Sequence, residues 1–175
     1  MRCEIGSLWK GSPRVSTPYT GTLVSARPMS EVHVKIDIDA PPDRVWETVM
    51  DPDRLADWVT IHRSVKNISS RPLEKGATMD QTICIRGVTF RVHWTLVDID
   101  PARHAEWEGR GPAHSQARIR YELSNDNGNT SFEYINEFTT PGGRLGNVAS
   151  RLIVGPASER EAKNSLARLK ALLER

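Results

Sequence analysis

The last third of the chain constrains the fold most. From Gly142 to Ile153 the apolar residues Leu145, Val148, Ala149, Leu152 and Ile153 recur at i, i+3, i+4, i+7 and i+8, the stripe of an amphipathic helix. Gly155-Pro156 interrupts the stripe, which resumes at Ala162, Leu166, Leu169 and Leu173, with Glu159, Arg160, Glu161, Lys163, Arg168 and Lys170 largely off it. The spacing predicts one long helix kinked or broken at Gly155-Pro156, because an interior proline loses a backbone donor and its ring clashes with the preceding turn. At ~1.5 Å per residue such a helix runs roughly 45 Å. A broad element must cover its apolar face.

The middle of the chain supplies that element. Val32, Val34, Ile36 and Ile38 alternate with His33, Lys35, Asp37 and Asp39, the period-two signature of a half-buried strand. Pro41-Pro42 ends it. Asp43 to Met50 reads as a short helix burying Val45, Trp46 and Val49, and Asp51-Pro52 opens a second that ends near Trp58. A short strand is expected around Val65 and Ile68.

Two hairpins have registers that can be argued in advance. A two-residue turn at Arg86-Gly87 sets Ile85 opposite Val88, Ile83 opposite Phe90, Gln81 opposite Val92 and Met79 opposite Trp94, all on one face. Beyond Leu96 the alternation changes parity to Val97 and Ile99, which predicts a bulge. A turn at Asp126-Asn127-Gly128-Asn129 sets Leu123 opposite Phe132, Tyr121 opposite Tyr134 and Ile119 opposite Asn136, with Arg118 facing Glu137 on the outer side. Between the hairpins, Arg103 to Gly109 reads as a strand with Ala105 and Trp107 inward, and Gly109-Arg110-Gly111-Pro112 as a flexible loop.

The order is strand, two short helices, roughly six strands, long helix. That is an α+β chain in which a curved antiparallel sheet of about seven strands curls around the C-terminal helix. Residues 1–28 are rich in Ser, Thr, Pro and Gly without a periodic apolar pattern, so a disordered extension is expected there and a folded unit over 29–175. Arg2 is followed by no continuous apolar stretch of a secretory signal. Met29, directly before the first strand, leaves open a start of translation at that position.

Composition narrows the partners. The formal charge of +2 is well mixed along 175 residues, with no basic stripe for phosphates, so nucleic acid is not expected. No apolar run reaches the roughly 20 residues that span a bilayer, so no membrane insertion is expected. Cys3 and Cys84 make neither a disulfide framework nor metal-ligand spacing, which suits a reducing cytoplasmic setting. Monomer and homodimer both stay open.

The element order, with Ile38-Asp39-Ala40-Pro41-Pro42-Asp43-Arg44-Val45-Trp46 and Asp51-Pro52-Asp53-Arg54-Leu55-Ala56-Asp57-Trp58, resembles the START-like, or SRPBCC, superfamily and its polyketide cyclase/dehydrase branch. The strand ending at Phe138, the Gly109-Arg110-Gly111-Pro112 stretch, Pro141-Gly142-Gly143-Arg144-Leu145-Gly146 and the helix finishing Leu166-Ala167-Arg168-Leu169-Lys170-Ala171-Leu172-Leu173-Glu174 fit as well. The likeness spans about Ser30 to Arg175. It implies a helix-grip architecture with a ligand cavity between sheet and helix, in a superfamily whose members bind lipids, polyketides, hormones or other apolar molecules, some as cyclases or aromatases. No catalytic residue is universal to it, so fold alone assigns no reaction.

The registers turn Gln81, Tyr121, Tyr134 and Asn136 toward the helix. An inward amide in a solid core leaves polar groups unpaired at roughly 1–3 kcal/mol each. Either a bonded network satisfies these four, or they orient an apolar ligand in a cavity. Trp58, Trp94, Trp107, Met79 and Phe90 supply an aromatic and thioether lining that serves equally as core, and Trp46 reads as core. Arg110, between two glycines, is a candidate for a mobile rim that meets an acidic head group, or belongs to an ordinary turn. Leu152, with Ile153, would gate the way in if the helix hinges at Gly155-Pro156.

The histidines His33, His62, His93, His104 and His114 lack HxxxH or HExxH spacing, so no metal site is expected. Four occupy outward or terminal strand positions. His62, in the loop after the second short helix, is a candidate general base at a cavity mouth. Glu106 and Glu108 have parity opposite to Trp107, which puts them on the solvent face. With no nucleophile elbow, phosphate loop or dinucleotide fingerprint, no cofactor is expected. The reading that follows is a module that binds a small hydrophobic molecule: a lipid, polyketide or aromatic compound. An alternative is a cyclase, aromatase or dehydratase using Tyr121, Tyr134, Asn136 and Arg110 or His62. A weaker one is a protein-interaction module acting through the short helices or an edge strand.

Overall fold

The computed structural model describes residues 29–139 and 156–175. The expected extension 1–28, the helical stripe from Gly142 to Ile153 and the gate residue Leu152 lie outside them. The chain runs β1 (Met29–Ile38), α1 (Pro42–Val49), a 3₁₀ turn (Pro52–Arg54), α2 (Leu55–Trp58), β2 (His62–Lys66), β3 (Thr78–Ile85), β4 (Val88–Asp100), β5 (His104–Arg110), a second 3₁₀ turn (Pro112–His114), β6 (Gln116–Asp126), β7 (Asn129–Thr139) and α3 (Pro156–Leu173). All seven strands join one antiparallel sheet in the order β1-β7-β6-β5-β4-β3-β2, curled as a half-barrel on the C-terminal helix. This is the α+β helix-grip architecture.

Local sequence explains the joints. Pro42 sits in the first turn of α1, where a missing amide hydrogen costs nothing, and Asp51 Oδ1 accepts the backbone N–H of Asp53 at 2.9 Å to open the next turn. The β3–β4 turn holds Arg86 at φ 51° and Gly87 at φ 81°, and the β6–β7 turn holds Asn127 at φ 54° and Gly128 at φ 94°. Positive φ at both central residues matches the right-handed twist of the flanking strands, so each turn locks its register. Met79 pairs with Trp94 and Gln81 with Val92, and Tyr121 pairs with Tyr134 and Ile119 with Asn136, as the alternation predicts. The change of parity after Leu96 is a register shift between Leu96 and Asp98 in the β4–β5 ladder.

The described part of the C-terminal helix, α3, runs from Pro156, at the position where the apolar stripe is interrupted. Leu166, Leu169 and Leu173 are buried, and each such side chain contributes about 1.5–3 kcal/mol of transfer free energy. The helix packs on β1 and α2. Its end is pinned where Glu174 Oε1 accepts the Asp39 backbone N–H at 2.7 Å and Lys170 Nζ donates to the Asp37 carbonyl.

Several expectations need correction. Trp46 is only half-buried, since α1 turns Val45, Thr48 and Val49 inward and Thr48 satisfies its hydroxyl on the Arg44 carbonyl at 3.1 Å. Ile68 falls outside β2, whose first residue is His62, so that histidine is on a strand and not in a loop. Gly109 and Arg110 belong to β5, not to a loop. Glycine is required at 109 by space: a Cβ there would stand 2.5 Å from the Trp94 ring, which lies directly over it. Arg118 does face Glu137, but it has Glu108 opposite on β5 as well and bonds that carboxylate at 2.7 Å, with Glu106 at 3.4 Å. Glu137 is taken diagonally by Arg120 at 2.7 Å.

Candidate ligand-binding cavity

Between the concave face of the sheet, α2 and α3 lies a cavity of about 130 Å³. Period-two alternation builds its walls, since alternate residues along part of β3, β4, β6 and β7 point into it. Gln81, Tyr121, Tyr134 and Asn136 all line it. So do Trp58, Met79, Phe90, Trp94 and Trp107. Phe138 and Thr139 at the end of β7 and Ser158 on α3 also line it, so both described ends of the stretch 140–155 border the cavity.

Arg110 is not brought there. It shares the outward parity of Glu106 and Glu108 and is exposed on the opposite face of β5. His62 does not line the cavity either, but it touches a residue that does. Gln81 Oε1 accepts the Trp94 indole N–H at 2.9 Å, and its Nε2 lies 3.1 Å from His62 Nδ1. An indole can only donate, which fixes the amide with its NH₂ toward His62, and an NH₂ can only donate in turn. His62 Nδ1 is therefore the acceptor, and the neutral ring carries its proton on Nε2. Burial, with Arg63 second, holds His62 below the ordinary histidine range, in keeping with a ring whose Nδ1 must stay unprotonated.

The other inward amide is arranged differently. Asn136 Nδ2 donates to the Tyr134 hydroxyl at 2.8 Å, while Asn136 Oδ1 is buried with no partner. Tyr134 lies beside Tyr121, ring centroids 6.0 Å apart, and Tyr121 meets Phe132 and Trp58 edge-on at 5.5 and 6.4 Å. Burial pushes the Tyr134 hydroxyl up to about 12, against the Asn136 hydrogen bond, and pushes Tyr121 further up, with Tyr134 adding to the effect. Both phenols stay neutral at any physiological pH. Trp58, 2% exposed, buries its Nε1 with no partner as well.

A polar seam at the edge of the cavity escapes the periodicity argument. Glu161 and Ser165, one position ahead of Ala162 and Leu166 on α3, line the cavity, and Thr60 ties them to the end of α2. The Thr60 hydroxyl donates to Glu161 Oε2 at 2.7 Å, and its backbone N–H donates to Ser165 Oγ at 3.1 Å. The signal was present in the i, i+3, i+7 ridge Ser158, Glu161, Ser165 beside the apolar stripe. Among the described lining residues Glu161 is the one with a formal charge at neutral pH. Among the described residues no three His, Cys, Asp or Glu side chains gather to hold a metal ion.

A family model described as polyketide cyclase / dehydrase and lipid transport matches residues 29–174. The chain belongs to that family. The resemblance carried by the Pro41-Pro42 and Asp51-Pro52 stretches is thus confirmed at the level of the polyketide cyclase-like branch. Among named relatives of this cyclase-like family member, Toxin Rv0910 of Mycobacterium tuberculosis is 29% identical over 83 residues, which is 47% of this chain and 58% of that protein. The chain thus spans less than two thirds of that relative's length. The uncharacterized protein Rv1546 of the same organism is 23% identical over 132 residues, 73% of this chain and 90% of that one. In solved structures, the Zhui aromatase/cyclase of a Streptomyces species superposes with a TM-score of 0.64 at 20% identity, covering 85% of this chain and 95% of its own. TTHA0849 of Thermus thermophilus superposes at 0.68 with 14% identity, covering 82% and 96%. Identities this low establish the shared fold.

Proposed function

We propose that the protein binds a small hydrophobic molecule in the cavity and sequesters or carries it in the cytoplasm. The observation that carries this reading is that sheet and helix leave a chamber of about 130 Å³ lined mainly by aromatic and aliphatic side chains, where a purely structural core would close. Sites for drug-sized ligands run to roughly 300–1,000 Å³, and an apolar cavity of roughly 150 Å³ holds benzene. The described part of the chamber accommodates a compact aromatic molecule. The family description, which includes lipid transport, supports binding in general. Native mass spectrometry of gently purified protein tests it, with one co-purifying small molecule expected. A protein that stays empty, and whose cavity tryptophan signals no apolar compound moves, would sink the reading.

A cyclase or dehydratase activity is favoured by one observation, the Glu161 carboxylate at the cavity edge within a seam of hydroxyls. Such a group can take a proton from a carbon next to a carbonyl and return it to a departing hydroxide. Turnover of a short poly-β-ketone that Glu161→Gln abolishes without weakening its binding supports this second reading. Binding without turnover in the parent protein removes it.

A further inference from the structure

The unsatisfied polar atoms of the cavity specify more than an apolar ligand, given the binding role proposed above. Tyr134 and Asn136 form a bonded pair on β7, and the donor and acceptor count of that pair is incomplete. Its single bond uses an Asn136 N–H and the Tyr134 oxygen. The Tyr134 hydroxyl hydrogen, the second Asn136 N–H and the Asn136 carbonyl oxygen are left over, and that carbonyl is buried without a partner on a residue only 8% exposed. Turning the amide over exchanges the roles without closing the count, because the phenol then donates to the carbonyl and the NH₂ goes unpaired. A buried acceptor left open is destabilising until a donor meets it.

A hydroxyl, which donates once and accepts, answers this pair in either orientation of the amide. A carboxylate only accepts, and it would bring a charge beside two neutral phenols with no lysine or arginine among the described lining residues. The one charged group there, Glu161, would repel it. A hydrocarbon leaves both groups open. The Trp58, Trp107 and Tyr121 side chains that line the cavity fit an aromatic ring.

We infer that the Tyr134–Asn136 pair is a hydroxyl-recognition site, and that the ligand is a neutral compact phenol or alcohol rather than a carboxylic acid or a bare hydrocarbon. The ligand hydroxyl donates to Asn136 Oδ1 and accepts from Tyr134.

Three probes that share a p-tolyl group test this: p-cresol, p-xylene and 4-methylbenzoate, titrated at neutral pH into the full chain while the indole N–H signals of Trp58 and Trp94 are followed by NMR. The expected result is that p-cresol binds more tightly than p-xylene and at least about tenfold more tightly than 4-methylbenzoate. In Asn136→Leu and in Tyr134→Phe the p-cresol to p-xylene preference drops about fivefold to tenfold, the size of one hydrogen bond. Equal or tighter binding of p-xylene by the parent protein, a preference unchanged in both variants, or tighter binding of 4-methylbenzoate overturns the hydroxyl site and leaves the cavity reading standing. If none of the three moves the indole signals, the cavity reading falls with it.

Discussion

Gln81 and Asn136 are the two buried amides among the described residues, 7% and 8% exposed, and they differ in what they have been given to bond. Gln81 is wedged between an indole donor and an imidazole acceptor, so its carbonyl and one amide hydrogen are used inside the protein. Asn136 has one partner, a phenol, and an open carbonyl. The same chemistry on the same surface therefore does two jobs. On the β3–β4 side the amide holds Trp94 and His62 in place, and on the β7 side its carbonyl stays open at the group proposed to meet a ligand hydroxyl.

The contrast breaks most visibly at Gly109. In Gly109→Ala the new methyl carbon would lie 2.5 Å from the Trp94 ring, so the ring must shift off Gly109 and its bond to Gln81 is disturbed. A loss of about 1–3 kcal/mol in chemical denaturation is expected, from overpacking, together with weaker ligand binding. Stability equal to the parent protein would show that the Trp94 wall is loose. Next in size is Gln81→Leu, which strands the Trp94 N–H in a buried site. Urea unfolding should register a loss of about 1–2 kcal/mol, the cost of an unpaired buried donor.

Asn136→Leu sharpens the comparison from the other side. It removes an acceptor that no protein group pairs, so stability should change by less than about 1 kcal/mol even as hydroxyl recognition is lost. If it destabilised as much as Gln81→Leu, the two amides would be equivalent and the contrast void. The smallest effect concerns pH. His62 titrates below its ordinary 6.5 in the folded state, so on acidification the unfolded chain takes up the proton first. Its contribution to stability is complete above 6.5 and fades as pH falls through the depressed folded value. Protonated Nδ1–H would then face the Gln81 NH₂. His62→Asn, which keeps an acceptor without a titrating group, should flatten the acid side of the stability curve relative to the parent protein, as thermal melts across that range would record. Parallel curves would mean that Nδ1 is not the acceptor.

Much of this was legible before any coordinates. Strand alternation is a local property of period two, and the turn residues Arg86-Gly87 and Asn127-Gly128 fix where the count begins, so the inward set Met79, Gln81, Tyr121, Tyr134 and Asn136 follows from the sequence. The same rule, carried one residue further along β5, would have put Arg110 outside. It was stopped by two glycines that read as a loop, when Gly109 is small because Trp94 covers it.

The sequence by itself thus determined the element order, the hairpin registers and which face each strand residue occupies, because those depend on neighbours in the chain. Only the tertiary structure decided which polar groups meet. Whether Gln81 finds Trp94 and His62, whether Thr60 reaches Glu161 and Ser165 over a hundred residues away, and whether Asn136 is left with an open carbonyl depend on side-chain distances between separate elements. Satisfaction of a buried polar group is a pairwise, long-range property, and periodicity carries no information about it.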